Sequence, residues 1–401
     1  MKKYFFSALI IFIFGINKSY SCTSAIFTGK VTKDGRAILW KHRDTGEENN
    51  RIEFFKGKKY EFIALVNSGD SGGVVWIGTN SAGFSIMNTA SYNLNSENVK
   101  DMDKEGILMY QALSECSTVD EFEVFLQNSA KPLGVEANFG VIDAKGGAAY
   151  FETGNFNYTK IDVNDPKIAP DGYLVYTNFS YTGRFEEGMG YIRYNTANHI
   201  ISKKLMYDKV DVSWIFNNLS RSYYHSLLDI DLKENPTKEG MNWFIDQDFI
   251  PRKISSASVA IQSVLKQEDV QNTIMWSVLG YPPAGIAVPL WVKGAEQLPK
   301  TLIKSSESPN AFACNQALIL KTKTFPIKRG NGNKYFKFNE IYNIEESGFM
   351  QKLKPYEDQI RALFSPFINK TRESIFNEKE LHKLYQKSDS LMKTAYSNIK
   401  S

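Results

Sequence analysis

Apolar and polar residues alternate in short runs over most of the chain, the period-2 pattern of strands with one side buried. Cys22-Thr-Ser-Ala-Ile-Phe-Thr28 is one such run and residues 36–40 are the next, with Lys33-Asp34-Gly35 between them. Asp-Gly joining two apolar runs predicts a hairpin, because both residues accept positive φ. Folding back in this way brings Cys22, at the free end of the first strand, close to Lys41-His42-Arg43-Asp44 at the end of the second. Further strands are predicted over 61–67, 74–77, 83–88, 137–143, 148–152 and 173–177, with residues 143–147 as the turn of another hairpin. Late strands are predicted over 256–264, 274–278, 285–288 and 313–320. Helices interrupt them. Thr118-Val-Asp-Glu121 is a capping-box pattern that leads into a helix with Phe122, Phe125 and Leu126 inward. Asp211 caps another, with Trp214, Ile215 and Leu219 at helical spacing.

After Gly330-Asn-Gly-Asn333 the pattern changes, and from Pro355 onward Lys, Glu, Leu and Phe recur with helical period. The expected organisation is therefore a strand-rich domain over 22–339 and a C-terminal helical segment over 340–401. Antiparallel hairpins with helices grouped between them indicate an α+β layered fold. The 42% hydrophobic and 13% aromatic content is enough for a sizeable core.

The first residues change the picture of where the protein works. Lys2 and Lys3 precede a largely apolar run from Phe5 to Ile16, which is short of the roughly 20 residues of a membrane-spanning helix. A polar stretch follows, with small residues at Ser19 and Ser21, so cleavage by signal peptidase is expected between Ser21 and Cys22. Residues 1–21 are read as a removed export signal, and the protein as secreted or periplasmic, with no later membrane span. Removing Lys2, Lys3 and Lys18 takes the formal charge from +4 to +1, which disfavours nucleic acid as a partner.

The three cysteines, Cys22, Cys116 and Cys314, are too few for a disulfide framework, although the last two are free to pair. The four histidines are scattered, and no closely spaced Cys/His pair points to zinc. Cleavage before Cys22 would leave a thiol and a free α-amine on one residue. An α-amine titrates at about 7.7–8.0 and a thiol at about 8.5, so the amine can take the thiol proton without a histidine. A nucleophile paired with its own terminal amine is an established variant of the nucleophile–base arrangement, and it needs no metal or organic cofactor.

The stretch from Cys22 to Asp44 resembles the start of the isopenicillin N acyltransferase and choloylglycine hydrolase families, members of the N-terminal-nucleophile superfamily. Their pattern is Cys, strand, Lys-Asp-Gly turn, then a return strand ending in Arg-Asn-x-Asp. Here that ending reads Lys41-His42-Arg43-Asp44. The resemblance implies a four-layer αββα sandwich and catalysis by Cys22, with Asp44 orienting the α-amine. Lys41 stands where the families have Arg, which keeps the charge and loses the planar fork; Arg43 is the alternative cation. Asn80-Ser-Ala-Gly-Phe-Ser-Ile-Met-Asn88 and Tyr176-Thr177-Asn178 are similar to the segments that carry the families' two active-site amides, so Asn88 and Asn178 take those roles. An amide NH2 can donate to an oxyanion without titrating. Gly190-Tyr-Ile-Arg193-Tyr resembles a segment with a late arginine, with Arg184 as the fallback.

The implied activity is hydrolysis of a linear amide in a small molecule, through an acyl-enzyme, with acyl transfer as a variant. Two other readings compete: a secreted dipeptidase of the same superfamily, and a surface lipoprotein acylated at Cys22. Ser19 three residues before Cys22, where lipoprotein signals favour an aliphatic residue, weighs against the latter. Tyr223-Tyr224 and Trp243-Phe244 suit either an apolar acyl pocket or the core.

Overall fold

The computed structural model describes residues 21–70, 72–234, 236, 242–373 and 376–400. The expected export signal lies outside them apart from Ser21. β1 (Thr23–Phe27) and β2 (Ile38–Asp44) pair antiparallel, with Thr23 opposite His42 and Ser24 opposite Lys41. The link between them is longer than a tight turn and runs from Thr28 to Ala37. Gly35 takes a φ of 76° within it, Thr32 bridges to Val210, and Arg36 bonds to Asp34 and Glu268. These tertiary contacts hold a loop where local turn chemistry alone predicts two residues.

Next come β3 (Asn50–Lys56), β4 (Glu61–Asn67), β5 (Ile77–Asn80), β6 (Ser85–Ala90), α1 (Glu105–Glu115), α2 (Val119–Asn128), β7 (Ala137–Ile142), β8 (Ala148–Thr153) and β9 (Tyr158–Asp162). The strands β3 to β9 form a seven-stranded sheet in sequence order. β10 (Tyr173–Tyr176) returns beside β1, and α3 (Tyr191–Leu205) follows. Asp211 caps α4 (Val212–Ile215) as expected, its carboxylate accepting from the Trp214 N–H, and the helix continues as a π-turn over Phe216–Ser220. β11 (Tyr224–His225) pairs with β12 (Ile230–Asp231). After β13 (Trp243–Ile245) come β14 (Ser255–Gln262), β15 (Ile274–Leu279) and β16 (Val288–Leu290), which complete a six-stranded sheet ordered β10-β1-β2-β14-β15-β16. α5 (Phe312–Thr324), β17 (Tyr335–Lys337, paired with β13), α6 (Phe349–Glu373) and α7 (Glu378–Lys400) end the chain.

All these strand pairs are antiparallel, and the architecture is a mixed one of several sheets and helices. The two large sheets meet face to face. Gly140 of β7 has no side chain, and a Cβ there would come within 2.3 Å of Met87 and 3.2 Å of Leu39 on β2. Ser24 Oγ lies 3.2 Å from the Tyr150 hydroxyl of β8. The opposite side of β2 faces helices, where the Trp40 indole N–H donates to Ser220 Oγ at 3.0 Å. On the outer side of the seven-stranded sheet, Phe84, Val141 and Phe151 pack with Met109 and Leu113 of α1 and Phe122 of α2.

Several expected elements shift. Residues 313–320 are helix rather than strand: Ala313, Ala317, Leu320 and Thr324 are buried at helical intervals, a period mistaken for a short apolar run. The strand expected at 74–77 begins only at Ile77, after Gly72 and Gly73 at positive φ. The strand expected at 285–288 begins at Val288, after a 3₁₀ turn over Pro282–Ala284. α6 and α7 join the main core, with Trp291 against Phe364 and Phe367, and the Tyr396 hydroxyl donating to Ala284 O at 2.9 Å. Among the described residues no helix is long and apolar enough to cross a membrane.

Candidate active site

Strand alternation decides what surrounds Cys22. Side chains of residues two apart share a face, so Cys22 lies on the side of Ser24, which meets the seven-stranded sheet. Ser24 stands opposite Lys41, and Lys41 and Arg43 share that side. Thr23 and His42 point the other way, toward the helices. All of β2 is buried, so its charged end is held in protein rather than in water.

Cys22, Lys41, Arg43, Trp76, Asn88 and Glu105 are among the residues lining one cavity of about 290 Å³. The Cys22 Sγ is 3.9 Å from the carbonyl oxygen of Asp44. The Lys41 ammonium donates to Trp76 O at 2.9 Å and to Asn88 Oδ1 at 2.7 Å. This contact fixes the amide of Asn88: with Oδ1 turned to the ammonium, Nδ2 is the free end, and among the described residues it donates to no acceptor. Burial pushes the Lys41 pKa down to about 8, against the pull of Cys22. Arg43 takes a different path. Its guanidinium lies 4.8 Å above the Trp76 ring and donates to Asn67 Oδ1 at 2.8 Å.

Asp44 is buried and bound on both oxygens. Ser255 Oγ donates to Oδ1 at 2.6 Å, and the Arg252 guanidinium pairs with Oδ2. Arg252 also donates to Ser21 O at 2.7 Å, so it touches both the expected cleavage junction and the carboxylate beside it. Sequence reading missed this residue.

Arg193, on the first turn of α3, is 1% exposed. It donates to Cys22 O at 2.7 Å, to Thr23 Oγ1 at 2.8 Å and to Asn178 Oδ1 at 2.7 Å. Asn178 in turn donates to Ala90 O at 2.9 Å. It is wholly buried and not part of the cavity wall; Arg193 holds the Cys22 carbonyl from the helix side, and Asn178 holds Arg193. Arg184, the fallback arginine, pairs with Glu187 near the surface and touches none of these groups. Cys116 and Cys314 are unpaired and buried, and burial pushes their thiols up to about 12 and about 11. Tyr223 and Phe244 belong to the core rather than to the Cys22 cavity: Tyr223 packs on Phe336 and Phe338, and Phe244 on Phe336. Among the described residues, no group of three or more His, Cys, Asp or Glu is placed to hold a metal ion.

His42 sits behind the site, fully buried, with Nε2 2.9 Å from Ser255 Oγ and 3.5 Å from Asp44 Oδ1. Burial lowers its pKa to about 4; Asp44 opposes this, while Arg252 and Arg193 add to it. An unfolded histidine titrates near 6.5, so between pH 6.5 and 4 the unfolded chain binds the proton first. The stability contributed by neutral His42 is thus complete above pH 6.5 and is lost as pH falls toward 4, on the order of 3 kcal/mol. Urea unfolding at pH 7.5 and pH 4.5 is expected to show a larger acid loss in the native chain than in His42→Gln. Equal losses would assign the acid sensitivity elsewhere.

No family model matches this chain, and no curated protein matches it. Solved structures do resemble it. A Caenorhabditis elegans ortholog of N-acylethanolamine-hydrolyzing acid amidase is 14% identical at a TM-score of 0.40, over 62% of this chain and 95% of that one. A variant of the conjugated bile acid hydrolase of Clostridium perfringens is 13% identical at 0.39, over 64% and 89%. Penicillin V acylase of Agrobacterium tumefaciens is 12% identical at 0.35, over 68% and 86%. The chain is similar to these three, and the functional reading below rests on the geometry around Cys22.

Proposed function

We propose that this chain is an exported amide hydrolase of the N-terminal-nucleophile type, with Cys22 as the nucleophile and the two large sheets as the inner layers of an αββα arrangement. The observation that carries this reading is the Lys41–Asn88 contact, which turns an amide NH2 free on the wall of the cavity that Cys22 also lines.

Removal of residues 1–21 by signal peptidase frees the α-amine of Cys22. The guanidinium groups of Arg252 and Arg193, both bonded to Ser21, disfavour a third positive charge there and so favour the unprotonated amine as base. The amine takes the thiol proton as sulfur attacks the amide carbonyl. Asn88 Nδ2 donates to the developing oxyanion, and the buried Lys41 charge adds to its stabilisation. The amine then passes the proton to the leaving nitrogen, the C–N bond breaks, and a thioester remains on Cys22. Water, deprotonated by the same amine, releases the acid and restores the thiol; an amine acceptor in its place gives acyl transfer. Asp44, held by Arg252 and Ser255, orients the amine, and Arg193, itself bonded to Asn178, fixes the Cys22 carbonyl.

The test is the intact mass of the exported protein. A chain starting at Cys22 with an unmodified amine is expected. A lipidated Cys22, or a cut at another position, removes the base and sinks the proposal.

A further inference from the structure

The mechanism leaves one feature of the cavity unused. Its lining is also acidic: Glu47 after β2, Asp103 and Glu105 at the start of α1, and Glu136 before β7. None of the four forms an ion pair with a described residue. The two cations on the wall are engaged elsewhere, Lys41 with Trp76 O and Asn88, and Arg43 with Asn67 and the Trp76 ring.

Glu105 is the most telling. It is 9% exposed, its Oε1 accepts from the Glu136 N–H at 3.0 Å, and no side-chain donor reaches it. Burial pushes this carboxyl up to about 7, and the Lys41 ammonium acts on it only through its field, because its hydrogen bonds go to Trp76 O and Asn88. Glu136 is held in place by the Leu94 and Asn95 N–H groups, at 2.8 and 3.1 Å on Oε1. A nine-tenths buried carboxylate with no ion pair among the described residues, lining the same cavity as a nucleophile, is a binding group for a cation that arrives from outside.

We infer that the substrate of this site carries a protonated amine close to the scissile amide, received by Glu105 with Glu136 and Asp103 around it. This deepens the amide-hydrolase reading above and rests on it. The cavity of about 290 Å³ sets the scale: at roughly 30 Å³ per water-sized unit it holds on the order of ten non-hydrogen atoms. The substrate class is thus a short aminoacyl amide or a monoacylated diamine. A carboxylate or sulfonate at the same place meets the acidic wall and is rejected.

The experiment uses the mature protein starting at Cys22 and two matched series. One varies the acyl side: the p-nitroanilides of 6-aminohexanoic, hexanoic and adipic acids. The other varies the amine side: the hexanoyl amides of 1,4-diaminobutane, butylamine and 4-aminobutanoate. In at least one series the cationic member is expected to exceed the neutral one in kcat/KM by roughly tenfold to hundredfold, the range of a charged hydrogen bond. The anionic member is expected to be slowest. Glu105→Gln, which keeps the acceptor for the Glu136 N–H, narrows the preference for the cation. Asp103→Asn, at an exposed position with a φ of 66° that asparagine tolerates, narrows it too and serves if the first variant does not fold. A neutral or anionic member preferred in both series, with turnover still lost in Cys22→Ala, overturns the cation and leaves the amide-hydrolase reading standing. No turnover in either series, with Cys22 still labelled by iodoacetamide, does the same. No turnover and no Cys22 adduct overturns both.

Discussion

Cys22→Ala is expected to abolish amide turnover, by on the order of 10⁶ in kcat where nucleophile and base act as a unit. The thiol is the attacking group, and no neighbour can replace it. Cys116 and Cys314 are buried with their thiols pushed up to about 12 and about 11, so both stay protonated at neutral pH. Cys116→Ala and Cys314→Ser should therefore keep their activity. Asn88→Ala should fall between these limits, losing about 10²–10³ as expected for one oxyanion donor. Single-turnover assays that detect the thioester by mass would check this order. Substantial turnover by Cys22→Ala would end the nucleophile assignment. An Asn88→Ala enzyme as fast as the parent would leave Lys41 as the oxyanion stabiliser.

Glu357→Ala is expected to destabilise the fold by about 3–5 kcal/mol, the cost of leaving one member of a buried ion pair without its partner. Glu357, on α6, meets Arg221 through both oxygens, at 2.9 and 2.6 Å, and also accepts from the Ala287 N–H at 2.8 Å. Burial by itself would raise the Glu357 pKa; Arg221 overrides it and holds the carboxyl below its ordinary value. Arg221 also binds Pro282 O and Gly285 O, so the pair fastens α6 to the segment before β16. The double variant Arg221→Met/Glu357→Leu should recover most of the loss, because it leaves no orphaned charge. Urea denaturation of the single and double variants decides the matter. A single variant within 1 kcal/mol of the parent would mean that water reaches the guanidinium.

The most legible part of the site was the part carried by neighbouring strands. Residues 22–44 contain a nucleophile candidate, a turn and a carboxylate, and strand pairing fixes their relation without reference to the rest of the chain. Arg252 was not legible. It lies between Pro251 and Lys253 in no recognisable motif, and only the pairing of β14 with β2 brings it to Asp44 across 208 positions of sequence. Glu105 was missed for another reason. α1 has Lys104 at its N-cap with no side-chain cap bond, directly after Asp103 at positive φ, so it lacks the start signal by which Thr118 announced α2. For α5 the apolar residues were seen and their period misjudged. The resemblance gives Asn178 the role of an active-site amide, but that its amide bonds to Ala90 and Arg193 follows only from the packing of α3.

The long link between β1 and β2 also sets how the chain can change in length. A residue gained or lost between Thr28 and Ala37 lands in a loop anchored by Thr32 and Arg36, where slack can be taken up without disturbing the paired register. The same change between Ile38 and Lys41 would rotate every later side chain of β2 to the other face, sending Lys41 toward the helices and His42 into the cavity. Insertions and deletions at this end of the molecule are thus divided at Ile38, tolerated before it and disabling after it.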